Sequence, residues 1–205
     1  MISYKIHLLR CGSVAQNSEQ LYLGQLDLPL SDDGRAELGR LQKAGSYPQI
    51  EQLYTSPLAR CLQTAEILYP EYKPQAVAGL MDLGLGEFEG KSFEQLKDRP
   101  EFAAWLQNSQ FSPPPGGERV EDFTARVSGA FGKIVFEMMR ERVQSAALIT
   151  HGAVIMTLMA AVALPRLQML EWAVAPGCGY TLLTGAQLWM QGGCAEAFAV
   201  LPEGS

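Results

Sequence analysis

Histidine is almost missing from this chain. Two occur in 205 residues, His7 and His151, and neither lies at metal-ligand spacing from a cysteine. No zinc site is expected from the sequence, and no cofactor. Cysteine is sparse too. Cys11, Cys61, Cys178 and Cys194 form no Cys-x-x-Cys pair, and a chain of this size needs no disulfide staples. Basic residues are the minority, 16 Lys and Arg against 22 Asp and Glu, for a formal net charge of -6. That balance argues against nucleic acid as the partner, because a phosphate backbone needs a basic face. It leaves room for a small phosphorylated ligand, which needs only a local cluster of cations. Long apolar runs are absent. The longest, Ala153 to Leu164, has about 12 residues, too few to span a bilayer. The amino end, MISYKIHLLR, has no basic start followed by an apolar stretch. No leader peptide and no membrane partner are expected, and a reducing cytoplasm is the default compartment.

What the chain does have is apolar residues, 47% of the total, enough to build a full core. The length fits one domain, 1–205, with a cap-like excursion at about 81–117 that ends in the turn-rich SPPPGG. Tyr4 to Leu9 predicts a strand. Ser31 predicts the cap of a helix over DDGRAELGRLQKA that stops at Gly45. Leu53 to Thr55 predicts a short strand. Ser56 as N-cap and Pro57 at the first helical position predict a helix stopped by Pro70. Gln75 to Ala78 predicts a third strand, and Val120 to Val143 the longest helix. AALIT predicts a buried strand, with a helix starting directly after it at HGAVIM. Tyr180 to Leu183 and Phe198 to Leu201 predict closing strands.

Strands alternating with helices give an α/β fold, a mostly parallel central sheet covered by helices on both faces. In such sheets a ligand lies beyond the carboxyl ends of the strands. Three segments put polar residues there: Arg10-Cys11-Gly12, Ser56 to Arg60, and Thr150-His151-Gly152. Arginine presents a planar fork of donors suited to phosphate oxygens, and helix starts add free N–H groups. Taken singly, Arg10, Arg60 and His151 read as surface or structural residues. Their shared placement at strand ends favours a phosphate site. Asp82 reads as a site acid or an ordinary loop acid. Glu87 and Glu89 read as structural or exposed, and Glu118 as a helix cap or a pocket residue. His7 reads as a partly buried strand residue. Cys61, Cys178 and Cys194 read as inert small hydrophobes, and Ile155 to Met159 as core.

Six segments in order resemble the histidine phosphatase superfamily, which includes the phosphoglycerate mutases. They are LLRCGSVAQN, Gly24 with Pro29, Leu30 and Gly34, SPLARCLQTA, MDLGLGEFEG, PPGGE and ITHGAVI. The short length and PPGGE look most like the small phosphatases such as α-ribazole phosphatase. The resemblance implies a three-layer sandwich of the phosphoglycerate mutase type. It also implies a two-step phosphoryl transfer through a phosphohistidine that water then hydrolyses. Carried over by position, Arg10 and Arg60 would clamp the phosphoryl oxygens and Asn17 would help bind them. His151 would bind phosphate and stabilise the transferring group, and Asp82 would protonate the leaving oxygen. A dianion needs concentrated donors and an alkoxide needs a proton, so the set is chemically coherent.

The departure is Cys11, which stands where the family carries its nucleophilic histidine. His7 does not replace it. Four residues back on the strand, at roughly 3.3 Å each, it lies about 13 Å away. Nor does the cysteine-phosphatase loop apply, since the residue six after Cys11 is Asn17, not arginine. The leading expectation is phosphomonoester hydrolysis of a small phosphorylated metabolite with low activity. The rival is a non-catalytic protein that binds a phosphate ester or inorganic phosphate. A thiol-based activity at Cys11 comes third. Nothing in the sequence sets the oligomeric state.

Overall fold

Alternate residues of the first strand are buried in two different clusters, and this fixes the layering. Tyr4, Ile6 and Leu8 join one apolar cluster, while Leu9 and Cys11 join another. The central strand of the AALIT segment divides the same way: Ala146 and Leu148 on one side, Ala147 and Ile149 on the other. A period of two with both phases buried means a sheet covered on both faces.

The computed structural model describes residues 2–15, 21–44, 47–109 and 112–203. The strands in chain order are β1 (Ser3–Arg10), β2 (Leu21–Tyr22), β3 (Gln52–Thr55), β4 (Gln75–Ala76), β5 (Lys91–Ser92), β6 (Ser145–Thr150), β7 (Ala163–Leu164), β8 (Gly179–Gly185) and β9 (Ala195–Leu201). The helices are α1 (Asp32–Lys43), α2 (Ala59–Leu68), α3 (Phe93–Leu96), α4 (Pro100–Gln107), α5 (Val120–Glu141), α6 (Gly152–Val162) and α7 (Ala186–Gly192). Seven strands form one sheet in the order β4-β3-β6-β1-β8-β9-β7. All its pairings are parallel except those of β8 with β1 and β9, so six strands run one way and β8 runs back. The α/β fold with a mostly parallel sheet is therefore as the sequence indicated.

Helix faces explain the two layers. Phe123, Val127, Phe131, Ile134, Val135 and Met138 of α5 recur at helical spacing and pack with α6 against one face. Leu38 of α1 and Cys61, Ala65 and Leu68 of α2 cover the other. Ser31 caps α1 as expected, its hydroxyl accepting from Gly34 N at 3.0 Å. The expected stop at Gly45 lies outside the described residues; α1 ends at Lys43. Arg142 ends α5 in the left-handed region, with φ 59. Among the described residues no helix is long and apolar enough to cross a membrane.

Two expectations need correction. α2 starts at Ala59, with Leu58 as its extended N-cap, and not at Pro57 after a Ser56 cap. The Ser56 hydroxyl accepts only a long bond from Leu58 N, at 3.4 Å, and meets His151 Nε2 at 2.9 Å. The strand at Gln75 stops at Ala76 rather than Ala78. Val77 N makes the last ladder bond to Thr55 O, and β3 ends there, so Ala78 turns into a short 3-10 segment.

The segment after Leu80 carries an apolar cluster of its own: Leu85, Phe88, Leu96 and Phe102, joined by Tyr22 and Trp105. β2 and β5 pair antiparallel across it. Its two ends interlock. Glu118 N donates to Gly84 O and Glu87 N to Pro115 O. Gly86, at φ +52, lies so close to Pro115 O and Gly117 N that a Cβ has no room.

Candidate active site

Strand register brings the three polar segments together. Arg10 lies beside Thr150, and Thr55 beside Ile149, so the chains leave β1, β6 and β3 as neighbours. Cys11 N donates to Thr150 O at 2.8 Å, which holds Cys11 level with His151. Gly12 N donates to Thr64 Oγ1 at 3.0 Å, and that hydroxyl donates to Arg60 O at 2.7 Å, tying β1 to the first turn of α2. Gly12 has no Cβ because Leu30 and Leu38 occupy its place, the Leu38 Cδ1 falling 2.6 Å from an ideal Cβ.

The result is a small cleft of about 50 Å³ lined by Arg10, Cys11, Gly12, Leu23, Arg60, Asp82, His151, Gly152 and Pro176. Five of the residues expected from sequence therefore meet. Asn17, the sixth, lies outside the described residues. His7 does not line the cleft. Its ring is fixed within the sheet by Thr181 Oγ1 at 2.9 Å and Ser145 Oγ at 3.1 Å.

Arg60 is buried and anchored by two carbonyls, Nη1 to Leu26 O at 2.7 Å and Nη2 to Gly24 O at 2.8 Å. Its Nε donates to His151 Nδ1 at 3.3 Å. Arg10 Nη1 donates to Val174 O at 2.6 Å, and its Nε and Cζ lie over Gly152 at the start of α6. The side chain of the N-cap residue His151 makes no cap bond to α6, and the first-turn N–H groups of a helix suit an anion.

Asp82 sits across the cleft. Its Oδ1 accepts from Leu83 N at 3.0 Å, and its Oδ2 is 3.8 Å from both Arg60 Nη2 and His151 Nδ1. Burial raises its carboxyl above the usual carboxylate range, against the opposing influence of His151 and Arg60. Its carbonyl is held by Gln25 Nε2 at 2.9 Å and Arg126 Nη2 at 3.1 Å. Glu118 is neither of the things the sequence suggested: α5 has Arg119 as its N-cap, with no side-chain cap bond. It lies outside the cleft lining and pairs bidentately with Arg126, at 2.8 and 2.7 Å, so it props the backbone of Asp82. Glu89 is structural, accepting from Gln25 N and Leu85 N.

Sequence reasoning missed two residues. Ser56 orients His151 through the 2.9 Å bond already described. Cys61, read as inert, places its sulfur 3.5 Å from His151 Nε2 and 3.9 Å from Nδ1. Cys11 Sγ is 3.8 Å from the same Nδ1. A signal was present: Cys61, Thr64, Ala65 and Leu68 form the buried face of α2, so residue 61 points inward at the strand ends. The neighbouring Cys61, with His151 and Arg60, holds the Cys11 thiol well below the ordinary range despite burial. Burial, and the neighbouring Cys11, push Cys61 well above it.

Comparison with known proteins places the chain in a family and a fold. The family model of the histidine phosphatase superfamily, branch 1, matches residues 6–189. The chain is 31% identical over 161 residues to phosphoglycerate mutase-like protein 4 of Arabidopsis thaliana, covering 75% of this chain and 69% of that one. It is 25% identical over 189 residues to the adenosylcobalamin/alpha-ribazole phosphatase of Salmonella typhi, covering 87% and 89%. Against two further relatives it spans 58% of their length. In fold it is similar to the alpha-ribazole phosphatase of Shigella flexneri, with a TM-score of 0.81, 21% identity and coverage of 96% and 95%.

Proposed function

The chain belongs to the histidine phosphatase superfamily, branch 1, and on that premise we propose that it hydrolyses a small phosphorylated metabolite, slowly, with Cys11 standing in for the phospho-accepting histidine. One observation carries this reading: Arg10, Cys11, Arg60, Asp82 and His151 line a single cleft at adjacent strand ends. Arg10 and Arg60 clamp the phosphoryl oxygens, joined by Asn17 and the start of α6. His151 adds a donor when protonated. The Cys11 thiolate attacks phosphorus, the ester P–O bond breaks, and Asp82 gives its proton to the departing oxygen. Water then splits the S–P bond and releases phosphate. A thiol reaches less far than an imidazole, so alignment is poorer and turnover low.

Residues 81–117 act in this reading as the cap of a one-domain protein of residues 1–205, with Asp82 at the near end. The Salmonella relative's own activity supports a small metabolite as the substrate class.

The rival reading is a phosphate-ester-binding protein without turnover. It is favoured by the setting of the sulfur, which already has a partner in His151 Nδ1 at 3.8 Å. Retention of an acid at position 82 favours hydrolysis, because binding needs no leaving-group proton. Aryl phosphate turnover by the protein and by Cys11→His decides. Restoring a nucleophile to an otherwise intact site gains several decades, with a ceiling on the order of a million-fold. Equal rates in the two proteins would sink the hydrolase reading in favour of the rival.

A further inference from the structure

We infer that Cys11 and Cys61 form a redox couple, which a hydroperoxide entering the cleft converts to a disulfide and a dithiol restores. The two sulfurs lie within 4.8 Å of each other, and both residues are buried in the same apolar cluster. Both are free thiols in the structure. They come from the residue after β1 and the first turn of α2, so no Cys-x-x-Cys spacing announces the pair.

A disulfide needs its sulfurs about 2.05 Å apart, so the gap to close is about 2.8 Å at most. Neither sulfur is fixed by a short bond. Cys11 Sγ is 3.8 Å from His151 Nδ1, and Cys61 Sγ is 3.5 Å from His151 Nε2 and 3.7 Å from Thr150 O. Rotation about the Cα–Cβ bonds is the motion required.

The two thiols differ in access. Cys11 lines the cleft and Cys61 does not. The cleft holds about 50 Å³, more than the roughly 10–15 Å³ that one water needs, so hydrogen peroxide fits. An oxidant therefore meets Cys11 first, with Cys61 behind it as the resolving thiol. Charge agrees with that order. Cys61, His151 and Arg60 favour the Cys11 thiolate, which is the attacking form. Burial, and then Cys11, hold the proton on Cys61. Once Cys11 is a neutral sulfenic acid the second of these is gone, and Cys61 gives up its proton more readily.

The steps balance. The Cys11 thiolate attacks a peroxide oxygen, the O–O bond breaks, and the departing oxygen takes a proton from solvent. The Cys61 thiol then loses its proton and attacks the Cys11 sulfur. The S–S bond forms and the sulfenic oxygen leaves as water. The two sulfurs give up two electrons and the peroxide takes them. In the disulfide Cys11 has no thiolate to offer phosphorus, so turnover stops; that consequence alone rests on the hydrolase reading.

The test treats the reduced, unaltered protein with one equivalent of hydrogen peroxide, without substrate. Remaining thiols are blocked, and the protein is digested without reduction for mass spectrometry. The expected product is a Cys11–Cys61 cross-linked peptide pair in a protein lighter by two hydrogens, reversed by dithiothreitol. Cys61→Ser carries Cys11 on to the sulfinic acid instead. Cys178→Ser/Cys194→Ser forms the cross-link as before. A Cys11 sulfinic acid in the unaltered protein, a cross-link to Cys178, to Cys194 or between two chains, or four free thiols after treatment would overturn the couple. Aryl phosphate turnover is read separately on the same samples. Turnover that persists in the cross-linked protein counts against Cys11 as nucleophile and not against the couple.

Discussion

Arg60 Nε lies 3.3 Å from His151 Nδ1, and since a guanidinium only donates, that ring nitrogen accepts. Neutral His151 therefore carries its proton on Nε2 and donates it to Ser56 Oγ. Nitrogen-15 NMR reads this directly. The unaltered protein shows the Nε2–H tautomer, and so does Ser56→Ala, because Arg60 Nε still occupies Nδ1. A dominant Nδ1–H form in the unaltered protein would refute the arrangement.

Asp82 tests the proposed proton transfer through the leaving group. A poor leaving group needs the proton and a good one does not. Asp82→Asn in the Cys11→His background lowers turnover of an alkyl phosphate by about 10²–10⁴-fold and that of nitrophenyl phosphate far less. Equal losses on both substrates would assign Asp82 to binding alone.

His7 supplies a pH dependence of stability. Burial first, and the charge of Lys5 second, lower its pKa from 6.5 to about 4. The folded state therefore resists the proton that the unfolded chain accepts. The stabilisation is full above pH 6.5 and is lost as pH falls from 6.5 through 4, by up to roughly 3 kcal/mol. Urea unfolding across that range measures it. His7→Asn has a shallower slope than the unaltered protein, and identical slopes would contradict the assignment.

Gly86 locks the two ends of the 81–117 segment. Gly86→Ala meets both a left-handed φ of +52 and the backbone of Pro115 and Gly117. It costs about 1–3 kcal/mol locally. Limited proteolysis then cuts within 81–117 before the rest of the chain. Unchanged cleavage would mean that the segment is held by Phe88, Phe102 and Trp105 without the interlock.

The parts legible in the sequence were those with local causes. The strand from Tyr4, the Ser31 cap and the long helix from Val120 each depend on neighbours a few residues away. The meeting of Arg10, Arg60 and His151 was legible because a parallel sheet puts strand ends on one side. What escaped depends on partners far along the chain. Ser56 is 95 residues from His151 and Cys61 is 90, so neither bond leaves a local trace. A serine before Pro57 is a good cap by propensity, and its capture by a distant imidazole overrides that preference. β2, β5 and β7 have two residues each, below what periodicity can mark.

The floor of the cleft is hung from the middle of the sheet. β1 lies between β6 and β8, Arg10 N donates to Cys178 O and Cys11 N to Thr150 O. Amides in such a place exchange with heavy water only when the whole fold comes apart. The anion-facing floor thus has no breathing mode of its own. Leu23 and Pro176 line the same cleft from outside those strands, so its walls and its floor rest on different parts of the chain.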